Sequence, residues 1–218
     1  MALSREQIAQ RVAQELQDGY YVNLGIGIPT LVANYVPENM EVMLQSENGL
    51  LGMGQFPTEE EIDADLINAG KQTVTMAKGA SIFDSAESFA MIRGGHVDLT
   101  VLGAFEVDAN GNIASYMIPG KLIKGMGGAM DLVAGADNII VTMTHASKHG
   151  VSKLLNNCTL PLTGKGCIKK VLTDLAFIEI KDGKFHLLER APGVSVEEII
   201  KLTEGELVVS GNIPEMQF

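Results

Sequence analysis

The spacing of apolar residues near the start of the chain predicts an amphipathic helix. Ile8, Val12 and Leu16 recur every four residues until Asp18-Gly19 interrupts the pattern, and this spacing places the three side chains on one helical face. Ser4 to Gln7 has the form of a capping box. The helix is therefore expected to begin directly after Ser4.

Short apolar runs separated by turn signals predict strands, and these alternate with helical patterns over the first two thirds of the chain. The predicted strands are Tyr21 to Leu24, a run that includes Val42 to Leu44, Val74 to Met76, Leu99 to Leu102 and Ile139 to Met143. Three helical segments are predicted. The first begins at Pro29 and runs toward Tyr35, the second covers Ser85 to Ile92, and the third is a single turn at Leu132 to Ala134.

Two further turn signals predict hairpins. Asp108 to Asn112 separates two short apolar runs, and Lys181 to Lys184 joins Phe177–Ile180 to Phe185–Leu188. Ser195 is expected to start a last helix. Because strands that alternate with helices form parallel sheets covered on both faces, we predict an α/β fold: a three-layer α/β/α open, mostly parallel sheet with late antiparallel hairpins.

Length and composition narrow the class of protein. The 218 residues are 46% hydrophobic and 20% charged, which suits a single globular domain spanning residues 1–218. The net charge is −11, so a nucleic-acid partner is not expected, since phosphate neutralisation needs a basic face. An anionic ligand must be held by locally placed groups.

The chain shows no targeting or membrane signal. It begins without an apolar signal segment, and no run approaches the roughly 20 apolar residues of a membrane helix. We therefore expect a cytoplasmic protein without membrane contact. Cys158 and Cys167 are not spaced as a metal or redox pair, and in a reducing compartment both are expected to be thiols.

Leu44 to Gly52 carries a single carboxylate, that of Glu47, on a short polar turn between apolar runs. Glu47 follows a predicted strand, and the carboxyl ends of strands in open α/β sheets are where ligands bind. A carboxylate held there can act as a nucleophile. On spacing alone, the alternative of an ordinary solvated turn acid remains open.

Two glycine clusters are candidates for anion binding. Gly25 and Gly27 lie between a predicted strand and a predicted helix, but the third glycine of a dinucleotide fingerprint is missing, so a nicotinamide cofactor is not expected. Gly125, Gly127 and Gly128 leave backbone N–H groups unshielded, and such groups can stabilise an oxyanion. A tight loop used only for close packing explains the second cluster equally well.

Several polar side chains have both a functional and an ordinary interpretation. Lys121 and Lys124 could bind an anionic ligand, although loop lysines are commonly solvated. His145 and His149 are four residues apart, which would align them on a helix. A preceding strand and Gly150 favour a loop there, so no metal site is expected.

The segment 44–52 resembles the beta-subunit active-site signature of family I coenzyme A transferases. Further motifs similar to that family cover most of residues 20 to 175; they are 23–30, 65–70, 83–86, 92–96 and 125–131. The resemblance implies that Glu47 is the catalytic nucleophile and that Gly127 and Gly128 supply oxyanion-hole N–H groups. It implies substrate contacts at Gly25, Gly27, Ser46, Asn48, Gly49, Lys121 and Lys124.

The mechanism implied by this resemblance is a ping-pong transfer of coenzyme A between carboxylates. Glu47 attacks the acyl-CoA carbonyl, and the released thiolate returns to give a glutamyl-CoA thioester. No metal or redox cofactor is needed. The resemblance also implies a separate alpha subunit as partner, in a heterodimer or heterotetramer.

The resemblance indicates which branch of the enzyme family the sequence is most like, and the substrates are inferred from that branch. Residues 119–121 together with 125–128, and residues 83–85, look more like the branch that uses acetoacetate than like the 3-oxoadipate branch. By analogy with the family the donor is succinyl-CoA, with acetyl-CoA as the alternative. An acetate/butyrate–acetoacetate transferase is an alternative. A non-catalytic sugar-phosphate-sensing domain is a rival of another class, although a sensor has no need for a reactive carboxylate at position 47.

Overall fold

The computed structural model describes residues 1–123 and 125–218. The α-helices are α1 (Arg5–Ala13), α2 (Ser85–Arg93), α3 (Ala129–Gly135) and α4 (Val196–Leu202), and a 3-10 helix covers Pro29–Tyr35. The strands are β1 (Tyr21–Leu24), β2 (Met43–Ser46), β3 (Leu50–Met53), β4 (Met76–Ile82), β5 (Leu99–Gly103), β6 (Glu106–Asp108), β7 (Ile113–Ala114), β8 (Met117–Ile118), β9 (Leu122–Ile123), β10 (Ile139–Met143), β11 (Leu154–Leu155), β12 (Lys170–Thr173), β13 (Ala176–Lys181), β14 (Lys184–Arg190) and β15 (Leu207–Val208).

One large sheet organises the molecule. Ten strands lie in the order β15-β14-β13-β12-β10-β5-β1-β2-β3-β4. The five strands from β12 to β2 are parallel to one another, while β3 and β4 at one edge and β13 and β14 toward the other are antiparallel. The prediction of a mostly parallel sheet with a late antiparallel hairpin is confirmed. The antiparallel edge formed by β3 and β4 was not predicted.

Helices cover both faces of this sheet. Neighbouring side chains along a strand point to opposite faces, and the strand register places Lys170 and Gln45 on opposite faces. Lys170 bonds Glu15, just beyond α1, whereas Gln45 bonds Ser88 of α2. Because α1 packs against the 3-10 helix and α2 packs against α3, the molecule has the three layers that the sequence predicted.

Side-chain caps explain where three helices begin. Ser4 and Gln7 form the reciprocal capping box at α1, Asp84 accepts a bond from the Glu87 amide at α2, and Ser195 caps α4. Each cap satisfies backbone N–H groups that a helix start leaves without a partner. The predicted start of the first and last helices is therefore confirmed.

Some predicted elements match closely and others do not. Strands β1 and β10 have the predicted bounds, and β5 extends one residue beyond its prediction. The strand predicted at Val74 to Met76 is wrong, because β4 begins at Met76 and its side chains are mostly exposed. The helix predicted from Pro29 is a 3-10 helix. Within the described ranges, no helix combines the length and the hydropathy needed to cross a membrane.

Candidate active site

A cavity of about 790 Å³ opens at the carboxyl ends of the parallel strands. Its wall includes residues that directly follow β1, β2, β5 and β10, namely Gly25, Glu47, Ala104 and Thr144. Loops from residues 68–70 and 125–129 complete the wall. The position agrees with the general rule that ligands bind at this edge of an α/β sheet.

A tight hairpin turn between β2 and β3 presents Glu47 to the cavity. The Gly49 amide donates to the Ser46 carbonyl over 3.0 Å, and the Gly49 carbonyl accepts from the Phe83 amide over 3.0 Å. Gly49 has a φ of +117°, and a Cβ there would lie 3.1 Å from the carbonyl carbon of Phe83 and closer still to its oxygen. Only glycine fits this position.

Two side chains fasten the same turn to the loop at residues 67–69. Ser46 Oγ accepts from the Ala69 amide over 2.9 Å, and Asn48 Nδ2 donates to the Ile67 carbonyl over 2.7 Å. Ser46 lines the cavity, whereas Asn48 and Gly49 are not part of its wall. The structure thus uses Asn48 and Gly49 to hold the turn that carries Glu47.

Gly128 lies directly against the carboxyl group of Glu47. A Cβ built on Gly128 would be 2.6 Å from Cδ of Glu47, whereas a Cβ on Gly127 would meet nothing within 4 Å. Both glycines line the cavity, and Gly128 is the N-cap of α3. The structure therefore brings together Glu47 and the glycine loop, although they are about 80 residues apart in sequence.

The surroundings of Glu47 favour the protonated carboxyl more than water does. Burial is the main cause that raises the pKa of Glu47, and the negative charge of Asp131 adds to it. Asp131 lies in the first turn of α3 and accepts a hydrogen bond from Nε of Arg93 over 2.7 Å. In the part of the chain that the structure describes, no hydrogen bond reaches the Glu47 carboxylate.

A buried polar network under the turn was missed by sequence reasoning. Asn23 Nδ2 donates to Gln45 Oε1 over 2.6 Å, and Gln45 Nε2 donates to Ser88 Oγ over 2.7 Å. Asn23 and Gln45 also line the cavity. The available signal was an amide side chain inside each of two buried strands, because buried polar groups need partners.

The other predicted contacts are distributed unevenly. Gly25 lines the cavity, and its amide donates to the Val101 carbonyl over 2.8 Å. Gly27 and Lys121 do not belong to the cavity wall, and Lys121 is exposed. Lys124 lies outside the described residues.

His145 has a structural role. Its two ring nitrogens each pair with a threonine hydroxyl over 2.9 Å, that of Thr173 and that of Thr203. Burial lowers the pKa of His145 to about 4. The segment from His145 to His149 is not helical, as predicted, and no group of three His, Cys, Asp or Glu side chains able to hold a metal occurs among residues 1–123 and 125–218.

Both cysteines are free thiols, as predicted. Burial is the main cause that raises the pKa of Cys158 to about 12 and that of Cys167 to about 11. Because the thiolate is the reactive form, neither side chain is suited to nucleophilic catalysis near neutral pH.

Comparison with known proteins gives a consistent result. The model of the family described as coenzyme A transferase matches residues 5–202. A Bacillus subtilis protein, named as one subunit of a probable succinyl-CoA:3-ketoacid coenzyme A transferase, is 55% identical over 98% of this chain and 99% of its own length. A Haemophilus influenzae protein, named as the beta subunit of an acetate CoA-transferase, is 51% identical, with 98% and 96% covered.

Longer proteins also match. The human mitochondrial succinyl-CoA:3-ketoacid coenzyme A transferase 2 is 50% identical over 98% of this chain, which spans 42% of that protein. Among solved structures, the acyl-CoA transferase YdiF from Escherichia coli O157:H7 superposes with a TM-score of 0.78 at 22% identity, and the match covers all of this chain and 45% of YdiF. At that identity the superposition shows the shared fold alone.

Proposed function

This chain belongs to the coenzyme A transferase family, and from that premise we propose that it is the catalytic beta subunit of a succinyl-CoA:3-oxoacid CoA-transferase, with Glu47 as nucleophile. The observation that carries the proposal is the position of Glu47: its carboxyl group lines the cavity at the strand ends and lies against Gly128. Family membership also favours a transferase over a sugar-phosphate sensor.

The proposed reaction makes and breaks one bond at each step. An oxygen of ionised Glu47 attacks the acyl-CoA carbonyl and expels the CoA thiolate, which leaves an acyl-glutamyl anhydride. The thiolate then attacks the glutamyl carbonyl and releases the free acid, which leaves glutamyl-CoA. The acceptor carboxylate reverses these steps, so no metal or redox cofactor takes part.

Gly127 and Gly128 are proposed to supply N–H donors to the tetrahedral oxyanions of these steps. Gly128 supports this role because it has no side chain and lies beside the reacting carboxyl group. In well-studied hydrolases, removing one such donor costs about 3 to 4 kcal/mol of barrier. Water must be kept away from both activated intermediates, because hydrolysis would waste the thioester.

A separate alpha subunit is proposed as the partner. Two observations support this. The relatives that match over nearly their full length are named as subunits. This chain also spans only 42% of the human mitochondrial relative, so the rest of that longer protein has no counterpart here. The partner is proposed to complete the substrate pocket. We therefore expect the isolated chain to be inactive.

The acceptor is proposed to be acetoacetate, with succinyl-CoA as donor. The name of the Bacillus subtilis relative supports a 3-ketoacid acceptor, whereas the name of the Haemophilus influenzae relative supports acetate as the second candidate. Rates with acetoacetate, acetate, butyrate and 3-oxoadipate, measured on the assembled enzyme, would rank these acceptors.

Chemical trapping tests the proposed nucleophile. The assembled enzyme is treated with succinyl-CoA without acceptor and then with borohydride, which reduces a glutamyl thioester to a stable alcohol. We expect the mass change on the peptide that contains Glu47. Glu47→Gln should assemble but show neither trapping nor turnover, while the matched variant Glu41→Gln, in an exposed acid before β2, should show both.

Two outcomes would contradict the proposal. One is a reduced residue elsewhere in the assembled enzyme. The other is full turnover by Glu47→Gln, because an amide cannot form the anhydride.

A further inference from the structure

Two cationic side chains line the same cavity as Glu47. Lys153 and Arg5 both belong to the cavity wall, and neither forms an ion pair within residues 1–123 and 125–218. Lys153 is partly buried, and its ammonium donates to Thr144 Oγ1 over 2.5 Å. Burial lowers the pKa of Lys153, while Asp174 acts in the opposite direction. An anionic ligand would compensate this desolvated charge.

Both cations come from segments that are joined at Asp174. The Leu3 amide donates to the Asp174 carbonyl, and the His145 amide donates to Oδ1 of Asp174, each over 2.7 Å. The Lys153 amide in turn donates to the His145 carbonyl over 3.1 Å. The start of α1 and the loop after β10 are therefore neighbours, which places Arg5 and Lys153 at the same end of the cavity.

A buried hydroxyl in this part of the wall has no partner among the described residues. Thr142 is 2% exposed and lines the cavity, and its Oγ1 is one of two buried side-chain oxygens without a hydrogen bond in the described part of the chain. Its neighbour on β5 is Gly103, where an added Cβ would meet nothing within 4 Å. A buried hydroxyl usually has a partner, but this oxygen is closed to solvent, so a ligand in the cavity does not reach it.

The sheet sets the distance from these groups to Glu47. Strand β10 is separated from β2 by β5 and β1, so three strand spacings place their ends about 14 Å apart. The pantetheine arm of CoA has as many chain bonds as a four-residue peptide, and four extended residues span at most about 14 Å. A succinyl group has only three carbon–carbon bonds between its carbonyl and its free carboxylate, so it spans a much smaller part of this distance than the pantetheine arm does.

We propose that Arg5 and Lys153 bind the diphosphate of coenzyme A, with the pantetheine arm extending from them to Glu47. This inference rests on the proposed function and assigns residues to its substrate. It also explains how a chain with a net charge of −11 holds a polyanionic ligand, since the repulsion of the whole molecule must be overcome by local cations.

Truncated substrates test the proposal on the enzyme assembled with its alpha subunit. Arg5→Met, Lys153→Met and the double variant are compared using succinyl-CoA and succinyl-pantetheine, which lacks the phosphates. We expect kcat/KM for succinyl-CoA to fall about tenfold or more for each cation removed, with no loss for succinyl-pantetheine. Lys148→Met, an exposed lysine of the same loop outside the cavity wall, should behave like the parent enzyme.

The binding of free CoA separates this inference from the proposed chemistry. Calorimetry with CoA and with pantetheine needs no nucleophile, so Glu47→Gln should bind CoA while Lys153→Met in that background should bind it at least about tenfold more weakly. Lys153→Arg should retain binding. Circular dichroism and assembly with the partner check that each variant folds.

Three results would overturn the proposal. Equal losses with both thioesters would show that the cations do not act on the phosphates. A change in preference between succinyl and acetyl thioesters would indicate that they bind the acid instead. Unchanged constants in the double variant would show that no anion binds there.

Discussion

In the proposed reaction Glu47 must be ionised to attack, and its immediate neighbours oppose ionisation. Burial and the charge of Asp131 both raise the pKa of Glu47. The resulting carboxylate is a stronger base and nucleophile once formed, but it forms only at higher pH. Arg93 moderates this effect because its guanidinium is paired with Asp131.

Asp131→Asn is expected to shift the acid limb of the rate profile. Removing the negative charge lowers the pKa of Glu47, so Glu47 stays ionised to lower pH. The acid limb of the kcat/KM profile therefore shifts to lower pH. Arg93→Gln should shift the same limb to higher pH, because no guanidinium then offsets the negative charge of Asp131 beside Glu47. The pH dependence of kcat/KM with succinyl-CoA measures both shifts, and identical limbs in all three enzymes would contradict this account.

Gly128→Ala is expected to lower kcat strongly with little effect on folding. Gly128 has a φ of −63°, which alanine adopts without strain, but the added methyl group would occupy the space of the Glu47 carboxyl group. A displacement of about 1 Å at a reacting group costs roughly 100-fold in rate. Steady-state kinetics measures the loss, and thermal unfolding controls for stability; normal kcat would show that Glu47 tolerates displacement.

Part of this site can be predicted from the sequence. Glu47 and the glycines at 127 and 128 occur in recognisable motifs, and the structure brings Glu47 and Gly128 into contact. Arg5 and Lys153 could not be assigned, because their common position depends on how the start of α1 docks beside the loop after β10. Asn23 and Gln45 depend on strand register in the same way.

At the scale of elements, the β2–β3 hairpin determines where Glu47, the proposed nucleophile, lies. Its turn combines a positive φ at Gly49 with close contact to the Phe83 carbonyl. The turn also carries the bonds of Ser46 and Asn48 to the loop at residues 67–69. The hairpin is therefore held on two sides by backbone that lies outside it.

Gly49→Ala is expected to destabilise the protein and to remove activity. The substitution adds the cost of a positive φ to a clash with Phe83, roughly 2 to 4 kcal/mol in total. Gly79→Ala on β4 is the matched control, since Gly79 has a φ of +88° but nothing within 4 Å of an added Cβ; it should cost only about 1 to 2 kcal/mol. Chemical denaturation measures both, and equal costs would show that contact with Phe83 is unimportant.

The elements that the sequence predicted well are those whose burial follows the expected pattern. Strand β10 is buried at all five positions, and its apolar run revealed it. Strand β4 is an exposed edge strand rich in small and polar residues, so hydrophobic periodicity does not detect it. The 3-10 geometry at Pro29–Tyr35 is a detail of hydrogen bonding that residue spacing does not specify.

At the scale of the whole molecule, polar contacts join the first helix to the last strands. Arg11 of α1 bonds both oxygens of Glu189 on β14, over 2.8 and 2.6 Å, and also bonds Glu15. The same guanidinium lies 4.5 Å from the centre of the Phe177 ring. Arg11 is only 6% exposed, so removing Glu189 would leave its buried charge with Glu15 as the single carboxylate partner.

The molecule is expected to lose stability in mild acid through His145. Its pKa is about 4 in the folded protein against an ordinary value of 6.5, so the unfolded chain binds more protons in this range. Stability present above pH 6.5 is lost as the pH falls toward 4, by about 3 kcal/mol. Unfolding free energies between pH 8 and 4 measure this loss, and His145→Gln should give a flatter curve; equal slopes would contradict it.

The absence of hydrogen bonds to the Glu47 carboxylate, within the described residues, has a consequence for motion. Its side-chain torsion angles can turn without breaking a polar contact. In the proposed transfer, an acyl group, a sulfur atom and a second acid must approach the same glutamyl carbon in succession. A swinging side chain on a rigid turn can present that carbon to each of them while the backbone stays still.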